Sequence, residues 1–186
     1  MKNAYIEEET FEKITTIPRG DYDNCKFVNC VLANADLSHS SFSECEFIGC
    51  DLSMVNLTKT ALKDVSFKEC KLLGLHFEQC NDFLFAVGFS DCNLNLSTFY
   101  KLNLKKTRFK NCSVREVDFS ETDLGNSVFD NCDLAMSKFE RTNLEKVDFR
   151  TAYNYSISPE QNQIKKARFS REGIIGLLDK YDIVIE

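Results

Sequence analysis

Nine cysteines, two histidines and a large number of carboxylates are the groups in this chain that could do chemistry. Cysteines at metal-ligand spacing would hold zinc, but Cys25/Cys30 and Cys45/Cys50 are five residues apart and do not form a CxxC pair. Nine cysteines in a small secreted chain would suggest disulfides. The histidines, His39 and His76, are far apart in sequence. No glycine-rich phosphate loop, HExxH or GxSxG is present. Carboxylates are plentiful, but nothing in the pattern places them in a pocket. The residue types therefore argue for a binding or structural protein rather than an enzyme, with no metal and no cofactor expected.

The element that must position these groups is a repeat. From Tyr22 every fifth residue is Leu, Phe or a close substitute: Tyr22, Phe27, Leu32, Leu37, Phe42 and onward to Phe77. The run slips by two residues and resumes from Phe89 to Phe149. A period of five matches neither a helix nor a strand, and a fixed period of this kind means a repeat architecture. Two residues before each large position sits a smaller one, including Cys25, Cys30, Cys45, Cys50, Cys70, Cys92, Cys112 and Cys132. One large and one small residue face inward, and the other three face water.

This spelling resembles the pentapeptide-repeat family over about residues 20–151, in stretches such as Ala35-Asp36-Leu37-Ser38 and Cys132-Asp133-Leu134-Ala135. The resemblance implies an all-β solenoid: a right-handed quadrilateral parallel β-helix with four pentapeptides per square coil. Four faces predict a second period of twenty, and the sequence has one. Phe27, Phe47, Phe67, Phe89, Phe109, Phe129 and Phe149 form an unbroken phenylalanine column. Leu32, Leu52, Leu72, Leu94, Val114 and Leu134 form an aliphatic column, preceded by an all-cysteine column. Cysteines stacked at the strand spacing are farther apart than the ~3.8 Å between Cβ atoms that a disulfide prefers. All nine, Cys80 included, are expected to be reduced, buried thiols in a cytoplasmic protein. Within this square the two histidines fall on outward positions of one face, in coils that are not adjacent.

The slip lies in Gln79-Cys80-Asn81-Asp82-Phe83-Leu84-Phe85-Ala86. Asp82 falls where an inward residue is due, so Leu84 is predicted to turn inward in its place. The chain divides into an N-terminal capping strand (1–20), the repeat (21–151), an irregular last coil (152–169) and a C-terminal segment (170–186). Ile164 and Phe169 keep the period of twenty through the last coil. Ser170 can cap a helix from Arg171 to about Tyr181, followed by a short strand at Asp182-Ile183-Val184-Ile185. The apolar stripe Ile174, Ile175, Leu177, Leu178 and Tyr181, with Ile183 and Ile185, is either a plain cap or the interface of a symmetric dimer joined end to end.

Residues 172–185, Glu-Gly-Ile-Ile-Gly-Leu-Leu-Asp-Lys-Tyr-Asp-Ile-Val-Ile, and Thr10-Phe11-Glu12-Lys13-Ile14 resemble the Qnr/MfpA quinolone-resistance group. That resemblance implies a rod-shaped homodimer that resembles duplex DNA in shape and charge and binds DNA gyrase or topoisomerase IV. About seven coils at ~4.8 Å give a half-rod of ~34 Å, so a dimer would span roughly twenty base pairs. The net charge of −6 argues against direct nucleic-acid or anionic-membrane binding. No long apolar run or signal sequence is present.

The most acidic face carries Asp21, Asp23, Glu44, Asp64, Asp123 and Glu145, with Asp82 at the slip. Lys63, Lys105, Lys106 and Lys146 oppose them on that face. A basic cluster of Lys101, Lys105, Lys106, Arg108 and Lys110 sits mid-rod, where a DNA mimic should be acidic. The alternative is an interaction scaffold with another partner, using an apolar strip of Val31, Ala33, Met54, Leu73, Leu96, Ala135 and Met136. Scattered surface apolar residues with no partner are the third reading.

Overall fold

The computed structural model describes residues 4–184. The repeat folds as an all-β, right-handed quadrilateral solenoid of parallel strands. Its longest sheet runs in the order β11 (Val128–Asp130), β10 (Arg108–Lys110), β9 (Val87–Ser90), β8 (Val65–Lys68), β6 (Glu46–Ile48), β4 (Lys26–Val28) and β2 (Thr10–Glu12). This is the phenylalanine-column face. A second sheet joins β1 (Ala4–Glu7), β3 (Gly20–Asp23), β5 (Ser41–Ser43) and β7 (Ala61–Lys63). The other two faces are held by single parallel bridges twenty residues apart, such as Val31 to Asp51 and Asp36 to Asn56.

Register fixes the core. Phe27 pairs with Phe47 and Phe109 with Phe129 across neighbouring strands. Identical side chains therefore lie directly above one another. The rings stack from Phe11 through Phe169 with centroids 4.6 Å apart at Phe27–Phe47 and 5.5 Å apart at Phe67–Phe89. A second aromatic stack, Phe77, Phe99, Phe119 and Phe139, meets the first edge to face. Both geometries suit the ring quadrupole.

The small inward position has a role beyond filling space. Cys50 Sγ donates to the Phe27 carbonyl at 3.2 Å, and Cys70 Sγ to the Phe47 carbonyl at 3.3 Å. Thr60, Ser97, Ser127 and Thr142 do the same from their hydroxyls, to Leu37, Leu72, Leu104 and Phe119. The thiols and hydroxyls thus add a buried hydrogen bond from each coil to the one before it. All nine cysteines are free and buried. Burial pushes the Cys45 thiol up to about 11 and the Cys80 thiol up to about 12.

Residues 4–17 form an extra, shorter coil rather than one covering strand. Ile6 pairs with Tyr22 and Phe11 with Phe27, sixteen residues apart instead of twenty. At the slip the prediction for Leu84 fails. Leu84 stays outward in the left-handed conformation, φ +58°, and is 64% exposed. The turn is built like the Asp51–Val55 corner, with the Phe83 amide donating to Asn81 Oδ1 and the Phe85 amide to the Asp82 carbonyl. The two extra residues follow that turn, and the partly buried Phe85 packs against the core.

The C-terminal helix also departs from expectation. Residues 171–181 form two short 3-10 segments, Gly173–Leu177 and Asp179–Tyr181. Ser170 Oγ accepts from the Gly173 amide as a cap would. Gly173 and Gly176 lie hard against Tyr155, where a Cβ would overlap its hydroxyl and its carbonyl. Their low helix propensity and this contact hold the segment flat on the last coil. Asp182 is left-handed, and Ile183 and Val184 are irregular rather than a strand; Ile185 lies outside the described residues.

Phe109→Ala is expected to cost about 3–5 kcal/mol in chemical denaturation, because the columns above and below it are fixed and cannot collapse into the gap. A loss below about 1 kcal/mol would place Phe109 outside the core. The nine thiols should label with a thiol reagent only at the rate of unfolding, and fast labelling of any ladder cysteine in native protein would contradict the burial.

Candidate functional site

Most corners of the solenoid are tight turns or bends whose outermost residue adopts positive φ. An Asp or Asn three residues ahead of it often accepts a backbone amide there, as Asp51 does from Ser53 and Asp123 from Gly125. These corners put one side chain per coil on a straight ridge. On the Tyr22 face the ridge begins with Glu8, Asn24, Glu44 and Asp64. It passes Leu84 and continues with Lys106, Asn126, Lys146 and Lys166. Amide-to-carbonyl bonds hold the rows in step, for example Glu8 to Asp23, Asn24 to Ser43, Lys106 to Gly125 and Lys146 to Lys165.

This arrangement redistributes the acidic face. Asp21, Asp23, Glu44 and Asp64 lie together on the first three coils of the repeat, where β3, β5 and β7 pair. Asp123 and Glu145 lie beyond the slip, on the part of the face held by the bridges Asn103–Asp123 and Asp123–Asn143. Asp123 is neutralised by Lys105 at 2.8 Å and also accepts from Asn143 Nδ2. Lys165 and Lys166, which the sequence reading left in an irregular coil, extend the same face because Gln163 pairs with Asn143. The N-terminal half of the face is therefore acidic and the C-terminal half basic. The period of twenty from Leu144 to Ile164 was the signal that could have found this.

The mid-rod basic residues are divided. Lys105 binds Asp123, and Lys101 joins Glu121, which also holds Arg141 at 2.7 Å. Arg141, ahead of Lys101, keeps the Glu121 carboxyl below its ordinary range. Arg108 and Lys110 project from β10, on the phenylalanine face. His39 and His76 are exposed, and His76 pairs with Glu78 at 2.9 Å. No group of His, Cys, Asp and Glu among the described residues is placed to hold a metal.

The apolar strip is less continuous than its sequence suggests. Val31, Met54 and Leu96 are exposed, and Met54 lies over Gly74, so Met54, Gly74 and Leu96 make one run with the half-buried Leu73 beside it. Arg115 and Glu116 separate that run from Ala135 and Met136. At the C-terminus Leu177 is buried and Leu178 half-buried, while Ile174, Ile175, Tyr181 and Ile183 are exposed. Among the described residues no helix is long and apolar enough to cross a membrane.

The chain belongs to the pentapeptide-repeat family: the family's model for a pentapeptide repeat region matches residues 21–83 and 83–153. Among solved structures it is similar to full-length QnrB1, a plasmid-mediated fluoroquinolone resistance protein, at 16% identity. That match covers 97% of this chain and 100% of QnrB1, with a TM-score of 0.51. A trypsin-treated QnrB1 variant matches at 17% identity over 100% of this chain and 99% of that one, with a TM-score of 0.50. HetL, a pentapeptide repeat protein involved in heterocyst differentiation regulation in the cyanobacterium Nostoc, gives 14% identity over 91% and 88% and a TM-score of 0.46. At these identities the likeness is one of fold. A search of curated protein sequences finds no match.

Within the acidic half, the Tyr5 hydroxyl donates to Asp23 Oδ2 at 2.9 Å. That bond, with some burial and the Asp23 charge, pushes the Tyr5 phenol up to about 12. Asp23→Asn is expected to return Tyr5 toward ~10, read by NMR of ring-labelled tyrosine across a pH titration. An unchanged Tyr5 titration would mean that the contact does not persist in solution.

Proposed function

We propose that this protein is a non-enzymatic binding rod of the quinolone-resistance type. In this reading the acidic half of its Tyr22 face engages the basic DNA-binding surface of DNA gyrase or topoisomerase IV and modulates quinolone sensitivity. The observation that carries it is the grouping of Asp21, Asp23, Glu44 and Asp64 on adjacent coils of one face. Carboxylates held in rows on a rigid rod complement a basic groove without reorganisation. The exposed Ile174, Ile175, Tyr181 and Ile183 support end-to-end pairing of two such rods through their C-termini. A second reading, a scaffold that binds another protein, is favoured by the exposed run of Met54, 57% exposed, and Leu96 around Leu73.

A gyrase supercoiling assay with and without a quinolone separates the two. Joint reversal of Asp23, Glu44 and Asp64 to Lys should abolish inhibition, and rising salt should weaken it steeply. Lys106→Glu should strengthen it by removing repulsion from the basic groove. If wild-type protein neither inhibits supercoiling nor protects gyrase from the drug, the topoisomerase reading falls and the Met54–Leu96 run becomes the surface to test. Leu178→Asp should leave the solenoid's circular dichroism intact while lowering the mass seen by light scattering, unless the C-terminal segment is only a cap.

A further inference from the structure

The ridge on the Tyr22 face is self-complementary. Leu84 sits at its middle, in the coil of the slip. By coil count Asp64 is one coil before it and Lys106 one coil after it; the Leu84 turn itself stands clear of both rows, and Ala86 makes the bonds to the preceding coil at Leu62 and Val65. Farther out, Glu44 on one side corresponds to Asn126 on the other, and Asn24 to Lys146. At the ends Glu8 corresponds to Lys166. Reversing the ridge thus places every charged residue opposite a residue of opposite charge or a neutral amide, and Leu84 opposite itself. These side chains are exposed, and none of the charged ones forms an ion pair with another described residue.

We propose that this corner is a homotypic docking surface: two copies of the chain lie side by side and antiparallel, related by a two-fold axis that passes Leu84 perpendicular to the rods. In such an isologous contact the residue at each row meets its mirror row on the partner. Leu84, 64% exposed, and Phe83, 66% exposed, supply the apolar centre. Asp64 and Lys106 supply the charged flanks, with Glu8 and Lys166 at the rim. An apolar centre inside a polar rim is the usual anatomy of a specific interface. An insertion that only restores register needs no apolar tip, whereas this one carries two large apolar side chains at the point of symmetry.

The contact runs along the ridge and not across the flat face. In the column just before the ridge, Asp23 would face Glu145 and Lys63 would face Lys105, so broad face-to-face packing is disfavoured. A ridge contact of this size belongs among small, transient interfaces, and its charges make it sensitive to salt. The occupant is a second copy because the ridge's own basic half supplies the complement to its acidic half. The inference goes beyond the proposed topoisomerase contact and stands without it. Where both hold, the lateral pair covers Glu44 and Asp64, and the enzyme competes with a second copy for them.

Cross-linking through a cysteine on the axis tests the geometry directly. The native cysteines are buried and do not compete. Leu84→Cys should form a disulfide-linked dimer with oxidised glutathione at low salt. Asn126→Cys should not, because two coils on each side of the axis separate the pair by about 19 Å at ~4.8 Å per coil. An end-to-end dimer leaves the two Leu84 positions farther apart still, so it cannot give this product. Adding Asp64→Lys or Lys106→Asp to Leu84→Cys should slow cross-linking roughly tenfold, about 1.4 kcal/mol. Combining the two should restore the rate, since each swapped residue then meets the other on the partner. Equal cross-linking at positions 84 and 126, no cross-linking at position 84, or a double swap as slow as either single change would overturn the proposal. Circular dichroism of each variant checks that the solenoid is intact.

Discussion

Everything in this molecule depends on one constraint: each coil of the repeat must lie on the last with its residues twenty positions apart directly superimposed. Parallel strand pairing imposes it on the phenylalanine face as far as Asp130 and on the Tyr22 face before the slip, and single bridges impose it elsewhere. Once it holds, an aromatic at one position stacks on its successor, and a thiol or hydroxyl at the small position reaches the carbonyl one coil back. The core is thus a set of columns whose members all do the same job. A single replacement within a column cannot be absorbed by neighbours that are themselves fixed.

The same constraint frees the surface. Three of every five side chains point outward at fixed spacing, so their chemistry can change without disturbing the core. The ridge on the Tyr22 face shows what such freedom allows. Its outermost residues share a positive φ from Glu8 to Lys166, yet its charge reverses at Leu84. In the proposed binding reading, contact depends on which charge stands in which row. Among the described residues the interior is filled by the inward columns, so the groups free to meet another molecule lie on the faces and ends.

The slip illustrates how local turn chemistry overrides hydrophobic pattern. Reading the five-residue period alone sends Leu84 inward, because Asp82 occupies the inward position. The chain instead keeps the turn, with Asn81 accepting the Phe83 amide, and places its surplus after it. Satisfying the backbone at the corner outweighs burying one leucine. Leu84 becomes the middle of an exposed ridge, and Phe85 packs on the core in place of the missing side chain.

From sequence alone, the period of five, the columns of twenty and the cysteine ladder determined the solenoid and most of its core. That is possible because each inward position repeats the same local environment, so the pattern is sampled many times over. The sequence also exposed the acidic positions Asp21, Asp23, Glu44 and Asp64. It could not decide their company. Only the tertiary structure showed Asp123 neutralised by Lys105, Lys165 and Lys166 continuing the face, and Glu116 interrupting the apolar strip. It also decided the ends. Residues 4–17 make a shortened coil, and Gly173 and Gly176 flatten the predicted helix against Tyr155. Ends have a neighbour on one side only, so no repeat constrains them, and their form follows from contacts that no period records.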